Sequence, residues 1–401
     1  MPSVPTGEVV VHVFGRTDVG RTREHNEDAF VVADLTADNA TLQPEVRKHV
    51  TGPKGTLFMV ADGMGGAAAG EIASAMAVEV VLSQLRGGWL TDSTTTDVQA
   101  FVRALKVSAK AANEQIHSYA TAHPEYRGMG TTATIAGLLG DTLYLAQVGD
   151  SRAYIVRDGV ARQITKDQSL MQKLIEAGEL TEEEAEHSER RNIILQALGP
   201  EPSIKVDLTH QIVRRGDALV LCSDGLSGQV SKDDIASVVA GEPDLTNACR
   251  ELIDRANSNG GPDNITVIIA RFDGAGLQGP AVEDHVGHTV FQLPETGQTP
   301  AMSLDRVIES DTPTKPVPVL DRARQIRRSD PTAPREAKRA TPPASPVAPA
   351  EPVVVVSPAR RSTGRLIAVV LLTVLVVGAV WLAFNTIRSR GVPPTTTTPG
   401  R

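Results

Sequence analysis

The sequence predicts an α+β domain built on antiparallel strands over residues 1–273, on three observations. Strand-length apolar runs are joined by tight turns, Gly140-Asp141 and Asp158-Gly159, so consecutive strands return beside one another. Other segments carry apolar residues at helical spacing, as in Phe101, Leu105, Ala109, Ala112 and Ile116. After Phe272 neither period persists, which marks the end of the domain.

In chain order, Val9 to Phe14 and Ala29 to Val32 read as strands around a polar loop, Gly15 to Asp28. Leu57 to Ala61 is a third strand, and the turn Asp62-Gly63-Met64-Gly65-Gly66 leads into a helix over Glu71 to Leu85. Its apolar residues Ile72, Met76, Val80, Val81 and Leu85 cover enough of the circumference to predict a mostly buried helix. A second helix spans Val98 to Tyr119. Thr131 to Leu139 and Thr142 to Val148 form a hairpin, and Arg152 to Arg157 returns beside them. Residues 164–200 turn helical and charged, with a capping-box pattern at Thr181-Glu182-Glu183-Glu184; they read as a flap inserted between strands. Strands resume at Ile204 to Ile212 and Ala218 to Cys222. Two helices follow, a capped one over Ser231 to Val239 and one marked by Leu245, Ala248, Cys249, Leu252, Ile253 and Ala256, before a last strand from Ile265 to Phe272.

Beyond the domain, residues 274–361 are rich in proline, threonine and charge and read as a disordered linker. Residues 366–384 contain no charge at all, and as a helix would span about 28 Å, the thickness of a bilayer core. A transmembrane helix is therefore expected there, followed by a short tail, 385–401. Arginines flank both ends, Arg360, Arg361 and Arg365 against Arg388 and Arg390, so charge asymmetry is small. Residues 1–7 lack the pattern of a secretory leader, which favours a single-pass protein of the cell membrane with its catalytic domain in the cytosol. The formal net charge of −8, with no basic stripe in the domain, argues against a nucleic-acid partner. Cys222 and Cys249 form no C-x-x-C pair and read as buried thiols of a reducing compartment.

Four aspartates share one context. Asp62, Asp150, Asp224 and Asp263 each stand at a strand terminus beside glycine or asparagine. A single aspartate there usually serves a turn; four in this order can converge on one sheet edge. Converging carboxylates repel unless a cation sits among them, and an all-oxygen set with no His or Cys suits magnesium or manganese. The loop Arg23-Glu24-His25-Asn26-Glu27-Asp28 taken alone reads as solvated.

The ordered set Arg23-x-x-x-Glu27-Asp28, Asp62-Gly63-Met64-Gly65-Gly66, Gly130-Thr131-Thr132, Gly149-Asp150-Ser151-Arg152, Ser223-Asp224-Gly225 and Asp263-Asn264 resembles the metal-dependent protein phosphatases of the protein phosphatase 2C family. More narrowly it is similar to bacterial serine/threonine phosphatases with one transmembrane helix. The resemblance implies a four-layer α-β-β-α sandwich of two antiparallel sheets flanked by helices. It further implies hydrolysis of phosphoserine and phosphothreonine on proteins by a hydroxide bridging two Mn2+ or Mg2+ ions. Asp62 would bridge the ions, the Gly63 carbonyl would bind one, and Asp224 and Asp263 would complete the other; these three aspartates form the catalytic set. Asp150, with Asp224, matches positions that hold a third, weaker ion. Glu27 and Asp28 would act through waters, and Arg23 would hold the substrate phosphate. Phosphoprotein substrates and an opposing serine/threonine kinase are the implied partners, with the membrane engaged through 366–384.

The sequence departs from some family members at four places. Met64 stands where some carry a histidine, Gly228 where some carry an acid, and Gln168 where bacterial relatives often carry a histidine. Ser188 to Asn192 follows the usual flap pattern only in part. A catalytically silent phosphoprotein-binding module is the alternative reading, and loss of a metal aspartate would have favoured it; none is lost. The linker reads as a tether, with Thr289, Thr299, Thr312 and Thr314 as alternative kinase targets.

Overall fold

The computed structural model describes residues 7–37, 48–65, 69–91, 96–281 and 283–294. The chain opens with β1 (Val10–Asp18), β2 (Ala29–Asp34), β3 (Lys48–Val50), β4 (Thr56–Ala61) and the two-residue β5 (Gly63–Met64), then helices α1 (Ala69–Gly87) and α2 (Val98–Ala122). β6 (Gly130–Thr131), β7 (Ala133–Leu139), β8 (Thr142–Val148), β9 (Arg152–Arg157) and β10 (Val160–Gln163) follow, and then the short helices α3 (Leu170–Glu176) and α4 (Glu182–Glu186). The last part comprises β11 (Asp207–Ile212), β12 (Ala218–Cys222), the single turn α5 (Asp224–Ser227), α6 (Lys232–Gly241), α7 (Leu245–Ser258) and β13 (Ile265–Asp273).

All strand pairs are antiparallel. One sheet has the order β10-β9-β12-β13-β1-β3, the other β11-β8-β7-β4-β2, and β5 and β6 make a small ladder of their own. The two-residue period of a strand sorts side chains into layers. In β4, Leu57, Met59 and Ala61 face α1 and α2, whereas Phe58 and Val60 point between the sheets. In β13, Ile265, Val267 and Ile269 meet α6 and α7, whereas Ile268, Ala270 and Phe272 point between the sheets. The result is the expected α-β-β-α sandwich. β4 reads as a near-continuous apolar run, and β13 as one interrupted only by Thr266 and Arg271, because both faces of each strand are buried over most of its length.

Helix starts follow the capping chemistry legible in the sequence. Asp97 caps α2, Ser231 caps α6 and Asp244 caps α7, while Thr181 and Glu184 form the reciprocal capping box of α4. Three local expectations are corrected. β1 runs through Gly15 to Asp18 rather than stopping at Phe14, because these residues pair with Ile265 to Ile268 of β13. The buried face of α1 is made chiefly of Ala69, Ala73, Ala77, Val80, Val81 and Leu85; Ile72 and Met76 are only partly buried, since small residues let the helix lie close to the sheet. The strand expected from Ile204 begins at Asp207.

The expected linker also starts too early, because residues 274–281 and 283–294 pack as a strap on the domain. Leu277 (1 % exposed) and Val286 (9 %) enter the core between the sheets. Asp284 accepts from Nε and Nη2 of Arg214 at 2.7 and 2.6 Å and lies 3.8 Å from Arg157, whose guanidinium also grips Asp217. Thr209 bridges to Val290, with His210 N donating to Thr289 O (2.9 Å) and Phe291 N to Leu208 O (2.8 Å), so the strap covers the open edge of β11. Its apolar residues are too sparse and unevenly spaced to show a period; each seats in a site the sheets already provide. The apolar run 366–384 lies outside the described residues, and no helix among the described residues is long and apolar enough to cross a membrane.

The Asp284 pairs hold its carboxyl down to about 2, so the strap's contribution is present above the ordinary aspartate value and is lost as pH falls through about 2. Asp284→Ala is expected to destabilise the chain at neutral pH by about 1–3 kcal/mol in urea unfolding. A double-mutant cycle with Arg214→Ala should show most of that loss to be shared; full additivity would dissociate Asp284 from Arg214.

Candidate metal centre

The acidic residues come from both sheets and meet at one end of the sandwich. In one sheet Ala29 pairs with Ala61, so Asp28, just before β2, and Asp62, just after β4, lie side by side. Asp150 follows the end of β8, two strands away. In the other sheet Asp224 follows the end of β12, and Asp263 stands just before β13.

Polar residues tie these ends together across the gap. Asp28 Oδ2 accepts from Ser223 Oγ (2.8 Å) and Thr266 Oγ1 (2.6 Å), both in the opposite sheet's layer. Asn264 accepts from Glu27 N at 2.8 Å and donates to the carbonyls of Val19 and His25, fixing the loop that carries Arg23. Thr132 N donates to Asp62 O (2.9 Å), Asp62 N donates to Thr132 Oγ1 (3.0 Å), and that hydroxyl bonds Ser151 Oγ at 2.7 Å. Gly63 N donates to Glu27 O, and a Cβ on Gly63 would fall 2.3 Å from Gly70 O and 2.4 Å from Glu27 O. No side chain fits there, which accounts for the glycine after Asp62.

The electrostatics record the crowding. Burial first, then Asp28, Asp224, Asp150 and Asp263, hold the Asp62 carboxyl well above the usual range. Burial pushes Asp28 up to about 7 against the hydrogen bonds from Thr266 and Ser223, and burial with Asp224 pushes Asp150 up to about 7. Asp224 is raised by burial and by Asp263, and is within hydrogen-bond reach of Asp62. Burial also raises Glu27. Arg23, at the exposed rim, donates from Nη2 to Asp263 Oδ2 at 2.9 Å.

Among the described residues no group of three or more His, Cys, Asp or Glu side chains is already closed around one point. Their chemistry nevertheless fits hard divalent cations. The donors are all oxygen, and the buried oxygens Asp28 Oδ1 and Asp150 Oδ1 lack any hydrogen-bond partner. The structure thus brings Asp62, Gly63, Asp150, Asp224, Asp263, Glu27, Asp28 and Arg23 into one neighbourhood.

Sequence reasoning placed Thr132, Ser223 and Asn264 within its motifs but gave them no part in holding the centre, and it did not single out Thr266. It also missed Arg152, which is gripped by Asp167 (Nη2 to Oδ2, 2.7 Å) beneath Asp150, and the bracing role of Gln168. Gln168 Oε1 accepts from Gly149 N, its Nε2 donates to Asp207 Oδ2, and its own N donates to Gly149 O. The Gly149-Asp150-Ser151-Arg152 pattern was the available signal for Arg152, the motifs around Thr132, Ser223 and Asn264 were those for these three, and nothing local marked Thr266.

An antiparallel sandwich with a cluster of carboxylates at one end defines a class of metal-dependent hydrolases. The chain matches the family model described as "Protein phosphatase 2C" over residues 37–266, more than half its length. It is 36 % identical over 263 residues to the serine/threonine phosphatase stp of Listeria monocytogenes, covering 66 % of this chain and 96 % of that protein. It is 35 % identical to the serine/threonine protein phosphatase PstP of Mycobacterium tuberculosis, over 65 % of this chain and 45 % of that one. Among solved structures, the catalytic domain of PstP in complex with two manganese ions is similar, with a TM-score of 0.53 and 34 % identity over 66 % of this chain and 99 % of that chain. The chain belongs to the protein phosphatase 2C family of serine/threonine phosphatases.

Raised carboxyls take up protons on folding, so their contribution to the stability of the metal-free chain is fully present below the ordinary aspartate value and is lost as pH rises through about 7. Its melting temperature is expected to fall from about pH 5 to about pH 8. Saturating manganese should raise the neutral-pH value by several degrees and flatten the slope. Asp28→Asn with Asp150→Asn should flatten it without metal; an unchanged slope in that variant contradicts the assignment.

Proposed function

We propose that the chain hydrolyses phosphoserine and phosphothreonine on proteins with Mn2+ or Mg2+, from a cytosolic domain tethered to the cell membrane by residues 366–384. The observation that carries this reading is the convergence of Asp28, Asp62 and Asp150 from one sheet with Asp224 and Asp263 from the other. Asp62, the Gly63 carbonyl, Asp224 and Asp263 would hold two ions, and Asp150 with Asp224 a third, weaker one. Bound there, such ions supply Lewis acidity, lowering the pKa of a water and offsetting charge on the phosphoryl oxygens.

The chain's own groups do the rest. Arg23 presents a planar fork at the rim; one arm rests on Asp263, and the fork suits two oxygens of an incoming phosphate. Asp28 keeps Oδ1 free of protein donors while Ser223 and Thr266 hold its other oxygen, so it orients water without moving. Glu27, fixed through its backbone by Asn264, plays the same part beside it. Met64 carries no exchangeable proton, so the proton taken by the departing serine or threonine oxygen comes from a water or from a group other than residue 64. Substrates are phosphoproteins, with a membrane-linked serine/threonine kinase as the opposing activity.

The test uses the full chain in detergent with a phosphothreonine peptide. Turnover should need manganese or magnesium and vanish with chelator. Asp62→Asn with Asp263→Asn should lower kcat at least about a hundredfold. Arg23→Ala should act mainly through KM. Full activity in chelator would sink the reading. Protease access to the domain in intact cells against inverted vesicles tests the topology, and cleavage in intact cells overturns it.

A further inference from the structure

The strap has a second consequence beyond covering a sheet edge. Together with the root of the flap and the side of α2 it walls a groove of about 400 Å3. Four lysines ring it: Lys106 from α2, Lys166 and Lys173 from the flap, and Lys205 just before β11. Glu176 pairs with Lys166 (3.0 Å) and Lys173 (3.4 Å), and Asp207 pairs with Lys205 (2.9 Å). Lys106 has no acidic partner among the described residues. Four cations against two anions leave the groove positive in a chain whose formal net charge is −8. Its floor is apolar, with Phe291 set edge-on against Tyr144 (5.5 Å) and Val290 left 60 % exposed.

Position links the groove to the carboxylate centre. Asp207 stands opposite Gln147, three residues before Asp150, a span of about 10 Å in extended chain. Gln168 bonds Asp207 on the groove side and Gly149 on the site side, so the groove wall and the Asp150 loop are braced by one residue. The strap that supplies Val290 and Phe291 lies beyond residue 266, where the family match ends, so this wall is not part of what the family model describes.

We propose that this groove docks an acidic segment of the phosphoprotein substrate, a few residues from the phosphorylated serine or threonine. The proposal rests on the phosphatase reading above. Extended peptide laid from the centre along β11 brings carboxylates onto the lysines and apolar side chains onto Val290 and Phe291. Lys106 supplies the cation with no internal partner. Rim charges of this kind set substrate choice and encounter more than turnover.

Full-length chain in detergent with manganese would be assayed on two phosphothreonine peptides, one with acidic and one with neutral residues three to six positions from the phosphate, and on an aryl phosphate. The acidic peptide should be preferred roughly three- to tenfold in kcat/KM, through KM, and the preference should shrink as salt rises. Lys106→Glu with Lys173→Glu should abolish or invert it while leaving aryl phosphate turnover unchanged; Lys106→Arg with Lys173→Arg should keep it. Equal use of both peptides by the unmodified chain overturns the proposal, and this readout does not depend on any variant folding. A preference that survives charge reversal also overturns it. Absence of turnover on all three substrates instead removes the phosphatase reading itself.

Discussion

Like charge is the constraint around which this domain is arranged. Five aspartates end or begin strands at one end of two sheets, and burial raises four of them. Free chains would move such groups apart. Here they cannot separate, because each stands within two residues of the end or the start of a strand whose side chains are locked in the layers above and below. The apolar sandwich thus supplies the work that keeps the carboxylates together. That stored repulsion is what a divalent cation relieves, so affinity for metal and stability of the metal-free fold oppose each other.

Hydroxyls and amides set the spacing within that constraint. Ser223 and Thr266 of one sheet both donate to a single oxygen of Asp28, which is carried by the other, so the two sheets are pinned where repulsion is greatest. Thr132 and Ser151 repeat the device between Asp62 and the Asp150 loop. Gln168 then couples this loop to the flap root and to β11. Movement of the flap is therefore opposed by the same hydrogen bonds that place Asp150.

Asp62, Asp150 and Asp224 were legible because each sits where an apolar run stops beside glycine, and Asp263 because it stands beside asparagine where one starts, a pattern visible in one dimension; Glu27 and Asp28 stood out only through the family resemblance. Asp62 and Asp224 are the clearest cases, since β4 and β12 are buried along their whole length. The bracing roles of Ser223, Thr266 and Thr132 were not legible, because they arise only when Cys222 lies opposite Val267 and Ala133 opposite Val148. β1 was cut short at Gly15 for a similar reason: its polar end is strand only by virtue of β13. The strap was read as linker because Leu277, Val286 and Phe291 follow no period; tertiary sites select them one at a time.

The metal centre faces a problem of its own making. A phosphoprotein is an anion, and the chain it approaches carries an excess of acid with its densest cluster at the point of reaction. Arg23 answers this at the rim for the phosphate group alone. Divalent ions answer it within the cluster, over the last few ångströms. Neither reaches the polypeptide that carries the phosphate, and at physiological salt an exposed charge acts over about 8 Å. Attraction for that polypeptide has to come from separate cations beyond the cluster. The lysines at the flap root meet that requirement, since they are braced to the Asp150 loop yet lie outside the repelling set. Chemistry and recognition can then change independently in sequence: the carboxylates are fixed by the sandwich, while the strap that completes the groove lies past the end of the family match.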